Sequence, residues 1–222
     1  EVRRVAPRLL ADHGAEDVVQ PLEDELDRHL QPPRVLAPPR GDPHQDGHEA
    51  DRDQAREDGR LEAQQERWAE AEQWLQRAVE LAPDDAHAWF NLAYARDKGG
   101  LDDAAITAFR RATELNPDND RAWYGLGMLH ARHGRHADAA AALTEAGRLQ
   151  PMNGLAWYAL GMAWQHCNEP DKVAAVIEHT LTHDPQTAQR LIRDAGRSDY
   201  THRLGSVKGV RTKKKPAVRL AF

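Results

Sequence analysis

The chain has 222 residues, one cysteine and a formal net charge of −6, and 40% of its residues are hydrophobic. One cysteine excludes an internal disulfide and the structural zinc sites made of four cysteines or of two cysteines and two histidines. The net charge averages three unlike segments, because residues 1–54 carry −6, residues 55–196 carry −7 and residues 197–222 carry +7. Eleven of the thirteen aromatic residues lie between Trp68 and Trp164, so the middle of the chain is predicted to form the packed core.

Residues 1–53 are predicted to be disordered or poorly ordered. Five prolines and two glycines interrupt residues 31–54, where charge is scattered and no apolar period is visible. Leu22, Leu26 and Leu30 recur every four residues, which is compatible with one short amphipathic helix before this linker.

Neither an export signal nor a membrane span is predicted. Three arginines and a proline interrupt the apolar residues 2–10, which therefore do not form a signal-peptide core. The longest uncharged stretch, 149–168, contains a proline and several polar side chains. We therefore expect a cytoplasmic protein, and the Ala- and Arg-rich composition favours a bacterial one.

Two markers recur with a period of 34 residues in the middle of the chain. Tryptophan recurs at Trp89, Trp123 and Trp157, and proline recurs at residues 83, 117, 151 and 185. Apolar residues within each period are three and four positions apart, so each half is predicted to be an amphipathic helix. Four further sets of residues align in register: Leu92, Leu126 and Leu160; Ala105, Ala139 and Val173; Phe109, Leu143 and Ile177; Ala112, Ala146 and Thr180.

This pattern resembles the tetratricopeptide repeat, whose signature is W-x2-L-G-x2-Y, then A-x3-F-x2-A, then P. The best-matching windows carry these first-helix residues: Trp123, Leu126, Gly127 and His130, and Trp157, Leu160, Gly161 and Trp164. The resemblance implies an all-α fold, an α-solenoid in which antiparallel helix hairpins stack into a right-handed superhelix. Full repeats are expected at 86–119, 120–153 and 154–187, with turns between their helices at Gly99–Gly100, Gly134 and Asn168.

The whole array is predicted to span residues 54–196. Residues 54–85 resemble a partial or capping repeat, whose first helix is polar on the side that a preceding repeat would cover. Residues 188–196 resemble the solvating helix that closes many such arrays. In the third window Val173 and Thr180 replace small alanines, so we expect its helix packing to be the least regular.

In arrays that resemble this one, the first helices line a concave groove and present positions 2, 5, 9, 12 and 13 of each repeat to a ligand. In this sequence, these positions predict two rows of apolar side chains along the groove, with polar residues at their edges. The predicted partner-binding residues are Phe90, Tyr94, Lys98, Arg121, Tyr124, Met128, Arg132, Leu155, Tyr158, Met162 and Gln165. Such a surface suits a hydrophobic or amphipathic peptide or helix of another protein with some acidic character. The alternative is that part of this stripe packs against adjacent repeats.

One variant of the family binds the C-terminal carboxylate of chaperones through lysine and asparagine at positions 5 and 9. Those positions are aromatic or methionine here, so the chaperone-tail adaptor is disfavoured.

No catalytic or cofactor site is predicted, and the chain is not expected to be an enzyme. The two serines, Ser198 and Ser206, lie in the tail, and Cys167 is expected to be a small buried apolar residue. No phosphate-binding Gly-Lys-Ser/Thr sequence occurs.

Three histidine groups invite a metal hypothesis, which the sequence does not favour. They are His130, His133 and His136, then His179 and His183, and finally His44 and His48. Neither a cysteine nor an ordered carboxylate completes any of them, so no metal site is predicted.

Residues 197–222 are predicted to form a flexible basic tail. Its charge is compatible with nucleic-acid or anionic-membrane binding, which is the first alternative to a peptide-binding scaffold. A second alternative is that the repeats belong to a larger enzyme or to a secretion or assembly factor. The sequence favours a non-catalytic scaffold or adaptor and leaves its oligomeric state open.

Overall fold

The computed structural model describes residues 46–204, with side chains for residues 49–201 and 203. All regular structure in this part of the chain is helical, and consecutive helices pack against one another along the chain. The predicted all-α helical repeat solenoid is confirmed. The elements are α1 (Asp46–Gln64), α2 (Trp68–Leu81), α3 (Ala86–Lys98), α4 (Asp102–Leu115), α5 (Asp120–Arg132), α6 (His136–Leu149), α7 (Gly154–His166), α8 (Pro170–His183), α9 (Pro185–Asp194), a 3-10 turn (Ser198–Tyr200) and α10 (Thr201–Leu204).

A left-handed backbone residue separates the two helices of every repeat. The φ angles are 57° at Glu66, 75° at Gly100, 69° at Gly134 and 58° at Asn168, and these positions are 34 residues apart. Glycine adopts this conformation without steric cost, and asparagine tolerates it better than most residues do. The turns predicted at the two glycines and at Asn168 are therefore confirmed.

The first helix of each full repeat has a side-chain cap. The side chains of Asp85 and Asn153 each accept two hydrogen bonds from backbone N–H groups of the following turn, and that of Asn119 accepts one. Each cap lies two residues after the recurring proline, so the proline ends one repeat and the cap starts the next.

The closing helix begins earlier than predicted, at Pro185 rather than at residue 188. The side chain of Asp184 accepts hydrogen bonds from the N–H groups of Gln186 and Thr187, each at 3.1 Å. Proline fits the first helical turn because its missing N–H would have no partner within the helix. The fourth proline of the series therefore starts a helix, whereas the preceding three follow one.

Small residues let the paired helices approach closely. A Cβ atom at Gly127 would lie 2.6 Å from Cγ of Leu143, which is buried in the second helix of the same repeat. In the third repeat, the side chain next to Gly161 is Leu191 of α9, and α7 packs less extensively on α8 than α5 packs on α6. This agrees with the expected irregularity of the third repeat, which holds the bulkier Val173.

The N-terminal boundary of the array differs from the prediction. Helix α1 begins at Asp46, so residues 46–53 are helical rather than irregular. The prolines that favoured a linker end at Pro43, so no proline interrupts this extension of the helix. Side-chain contacts of Gln54 with Asp58 and of Arg56 with Asp53 lie along α1. The rest of the predicted N-terminal segment, including Leu22, Leu26 and Leu30, lies outside the described residues.

The N-terminal face is less polar than predicted for a capping repeat. Leu61 and Trp74 are 41% and 44% exposed. The equivalent residues of the second full repeat, Leu129 and Ala142, are 1% and 4% exposed. The two side chains occupy positions that are buried in the later repeats.

The beginning of the predicted flexible tail is ordered against α8. Nη1 of Arg197 donates a 2.8 Å hydrogen bond to the carbonyl oxygen of Pro170, and Arg203 pairs with Glu178. The lysines and arginines between residues 208 and 219 lie outside the described part of the chain.

Candidate binding groove

The first helices of successive repeats lie next to one another. Helix α1 contacts α3, α3 contacts α5, α5 contacts α7 and α7 contacts α9. The second helices of successive repeats share no comparable interface within residues 46–204. Helices that approach each other lie on the inner side of a curved stack, so the first helices line the concave side.

The four aromatic residues predicted to line the groove are buried. Phe90 is 7% exposed, Tyr94 4%, Tyr124 6% and Tyr158 2%. The ring of Phe90 meets that of Phe109 edge to face at 5.9 Å. These side chains therefore belong to the packing of the array, and the prediction that they present an open aromatic surface is corrected.

Aromatic burial also links neighbouring repeats. The rings of Tyr94 and Trp68 meet edge to face, with centroids 6.0 Å apart, across the contact of α2 with α3. Edge-to-face pairs at this distance are favourable beyond the area that they bury. Tyr94, which the sequence pattern placed in the ligand-binding surface, thus packs between two repeats.

The accessible apolar part of the predicted groove comes from three other residues. Met128, Leu155 and Met162 are half-buried on α5 and α7. Gly125 also lies half-buried on α5, where a Cβ atom would be 2.6 Å from Cζ of the buried Phe109. A small residue is thus required at this position so that Phe109 can pack against α5.

One predicted ligand contact, Arg132, takes part in an interaction between two repeats. It donates to Oδ1 of Asp97 at 2.9 Å and to Oδ1 of Asp102 at 3.1 Å. Burial raises the pKa of the Asp97 carboxyl, although the guanidinium of Arg132 favours the charged form. Arg132 therefore connects the second full repeat to the first and is already engaged.

The remaining predicted polar residues lie at the edges of the groove. Arg121 and Gln165 are exposed, and the ammonium of Lys98 lies 5.5 Å from the ring centroid of Tyr94. This cation–π contact holds Lys98 over the packed aromatic residues.

The sequence-based prediction missed the part of the groove that α9 supplies. The hydroxyl of Tyr158 donates a 2.9 Å hydrogen bond to Oδ2 of Asp194, and the guanidinium of Arg190 lies 4.4 Å from the Tyr158 ring centroid. Burial and the Asp194 carboxylate raise the pKa of Tyr158 to about 12. The sequence predicted only a solvating role for residues 188–196, because α9 does not follow the 34-residue period from which the groove positions were taken.

A family model described as the tetratricopeptide repeat matches residues 56–120 and 100–151. The chain is a tetratricopeptide repeat protein. This agrees with the 34-residue period, the paired helices and the small residues at their contacts. No curated protein matches the chain.

Solved structures share the fold of this tetratricopeptide repeat protein. MamA from Desulfovibrio magneticus is 19% identical with a TM-score of 0.61, and the match covers 70% of this chain and 90% of that one. PilF from Pseudomonas aeruginosa is 21% identical with a TM-score of 0.54, with 75% and 80% covered. YrrB, reported as a tetratricopeptide repeat protein with an unusual peptide-binding site, is 19% identical with a TM-score of 0.54, with 61% and 71% covered. At these identities the similarity shows the fold.

The three histidines of the first group weighed as metal ligands are buried or contact a neighbouring repeat. His130 is buried, Nε2 of His133 lies 2.9 Å from Oδ2 of Asp102, and the ring of His136 stacks on His166 at 4.3 Å. Within residues 46–204, no three His, Cys, Asp or Glu side chains are grouped so that they could hold a metal ion.

Two further features bear on the predicted classes of function. Cys167 is half-buried and lies at the C-cap of α7. Among the described helices, none combines the length and the apolar character needed to cross a membrane.

Proposed function

We propose that this protein is a non-catalytic scaffold or adaptor that binds a peptide or helix of another protein in its concave groove. Proteins built from this repeat are generally protein-interaction scaffolds. The observation that carries the proposal is the half-buried apolar surface of Met128, Leu155 and Met162 on adjacent first helices. The peptide-binding site reported for YrrB supports a peptide ligand.

The same residues indicate the chemistry of the ligand. Methionine side chains are flexible and polarisable, and they adapt to apolar side chains of different shapes. Arg121 is exposed at the edge of this surface. An amphipathic segment with apolar side chains on one face and acidic side chains on the other fits this arrangement.

The test uses the three methionines of the chain. Peptides selected from a displayed random library on the full chain would be titrated against the wild type and against Met128→Ala/Met162→Ala. Met152→Ala is the matched control, because Met152 is 68% exposed in the turn between α6 and α7. We expect the groove variant to bind at least tenfold more weakly and the control to bind normally.

Equal affinity of all three proteins would contradict the proposal. Circular dichroism must show the same helical content for the variants, because a loss of helicity would identify the methionines as core residues. Tyr124→Ala is unsuitable as a groove variant, since Tyr124 is buried. Removal of residues 205–222 distinguishes the groove from the basic tail, and we expect binding to survive this deletion.

A further inference from the structure

One carboxylate at the C-terminal end of the array serves two arginines. Oδ1 of Asp194 accepts a 2.9 Å hydrogen bond from Nε of Arg193, and Oδ2 lies 3.7 Å from Nε of Arg190. Oδ2 also accepts the hydrogen bond from Tyr158. Two guanidinium charges thus face one carboxylate charge, which leaves a net positive charge at this place.

The two arginines are held in position but remain accessible. The guanidinium of Arg190 lies over the ring of Tyr158, and its side chain is 32% exposed. The side chain of Arg193 is 71% exposed. A guanidinium carries five N–H donors and is suited to bidentate contact with a carboxylate. Since each arginine approaches Asp194 through Nε, donors remain for a second acceptor.

The arginine pair continues the row of first helices. Tyr158 lies on α7, next to the half-buried Met162, and α9 contacts α7. Arg190, which lies over the ring of Tyr158, is therefore close to the part of α7 that carries Met162, and Arg193 follows Arg190 on α9. Residues 55–196 carry a net charge of −7, so this arginine pair lies in an array that is acidic as a whole.

We propose that Arg190 and Arg193 form a carboxylate-binding end of the groove that takes acidic side chains of a bound amphipathic peptide. This inference rests on the proposed function and adds the orientation in which the peptide binds. The apolar face of the ligand contacts Met128 and Met162, and its acidic side chains lie toward α9. Asp194 and Tyr158 hold the arginines in place and do not contact the ligand.

Two synthetic helical peptides test this assignment on the full chain. They share leucines at three- and four-residue spacing and differ only in having glutamate or lysine on the polar face. Fluorescence anisotropy would give the affinity of each peptide for the wild type, Arg193→Gln and Arg190→Gln/Arg193→Gln. Arg148→Gln is the control, because Arg148 is an exposed arginine of α6 that pairs with Glu145.

We expect the glutamate peptide to bind more tightly than the lysine peptide. The double variant should bind the glutamate peptide about tenfold more weakly, which is the loss expected for charge-assisted hydrogen bonds. The affinity of this variant should also depend less on salt concentration. Arg193→Gln alone should give part of this loss without disturbing the fold, since this side chain is mostly exposed. Arg148→Gln should leave the affinity unchanged.

Three results would overturn the carboxylate-binding end. They are equal binding of the two peptides, no saturable binding of the glutamate peptide, and an unchanged affinity of the glutamate peptide for both arginine variants. If Met128→Ala/Met162→Ala still weakens binding in the last case, the groove proposal stands and the arginine assignment fails. If neither pair of residues affects the affinity, both fail.

Discussion

The indole Nε1 of Trp123 donates a 2.9 Å hydrogen bond to the carbonyl oxygen of Pro117. The same bond joins Trp89 to Pro83 at 2.9 Å and Trp157 to Pro151 at 3.0 Å. The two residue types that mark the 34-residue period are therefore bonded to each other at the start of every full repeat, where each tryptophan bonds to the proline of the preceding repeat. Each bond holds the first helix of one repeat against the end of the preceding second helix.

Two substitutions of Trp123 measure the contribution of this hydrogen bond separately from that of ring packing. Trp123→Phe should lower the free energy of unfolding by about 1 kcal/mol, because a ring remains but the indole N–H is lost. Trp123→Ala should cost about 3 kcal/mol, the low end for a large aromatic, because Trp123 is only partly buried. Urea denaturation measures both values. Equal losses would show that the hydrogen bond and the ring do not contribute separately.

Gly127→Ala tests the close approach of α5 and α6. The new Cβ would lie 2.6 Å from Cγ of Leu143, so we expect a destabilisation of about 1–3 kcal/mol. In a Leu143→Ala background, which itself costs about 2–5 kcal/mol, the space is open and the glycine substitution should cost little. Thermal unfolding of the four proteins measures the coupling. Additive effects would contradict direct contact at this position.

His130 is expected to make the array sensitive to mild acid. Burial lowers the pKa of His130, and its Nδ1 has no hydrogen-bond partner among the described residues. Because the folded pKa is below the unfolded value of about 6.5, the unfolded chain takes up the proton first as the pH falls. The stability contribution of neutral His130 is thus present above that pH and is lost as the pH drops toward the folded pKa.

His130→Phe should reduce this loss. Urea denaturation at about pH 7.5 and about pH 5 would compare the wild type with this variant and with His87→Gln as an exposed control. We expect a smaller decrease in stability for His130→Phe and an unchanged decrease for the control. An identical pH dependence in all three proteins would exclude His130 as its source.

Tyr158→Phe should loosen the closing helix. Loss of the hydroxyl that donates to Asp194 should cost about 1–2 kcal/mol, and hydrogen exchange should rise in Pro185–Asp194. The folded pKa of about 12 lies above the ordinary value of 10, so the contribution of the neutral phenol is present below pH 10 and is lost as the pH rises toward 12. The variant should lack this alkaline loss of stability. Unchanged exchange in α9 would contradict the role of the hydrogen bond.

Repetition made most of the fold predictable. One hydrogen-bonded unit recurs, so markers such as Trp123 and Gly134 define the helices and turns of every repeat at once. The predictions failed where the repetition ends. Helix α1 extends to Asp46 through a segment without the signature, and α9 begins at Pro185 because Asp184 caps it.

The candidate site was predicted in part. Position in the repeat placed Met128, Met162 and Arg121 on the first helices, and the structure leaves them half-buried or exposed. Position in the repeat could not distinguish these accessible residues from the buried Tyr124, because large side chains occur at equivalent repeat positions in both cases. Whether a side chain faces a ligand or a neighbouring repeat depends on contacts between residues about 34 positions apart.

The sequence by itself determined the all-α class, the period and the turns, because these depend on local conformation and on spacing within one repeat. Tertiary structure alone decided which groove residues are accessible, since packing of one repeat on the next buries Tyr94 against Trp68 and engages Arg132 with Asp97. It also placed Arg190 beside Tyr158, across a change of register that no periodic pattern contains.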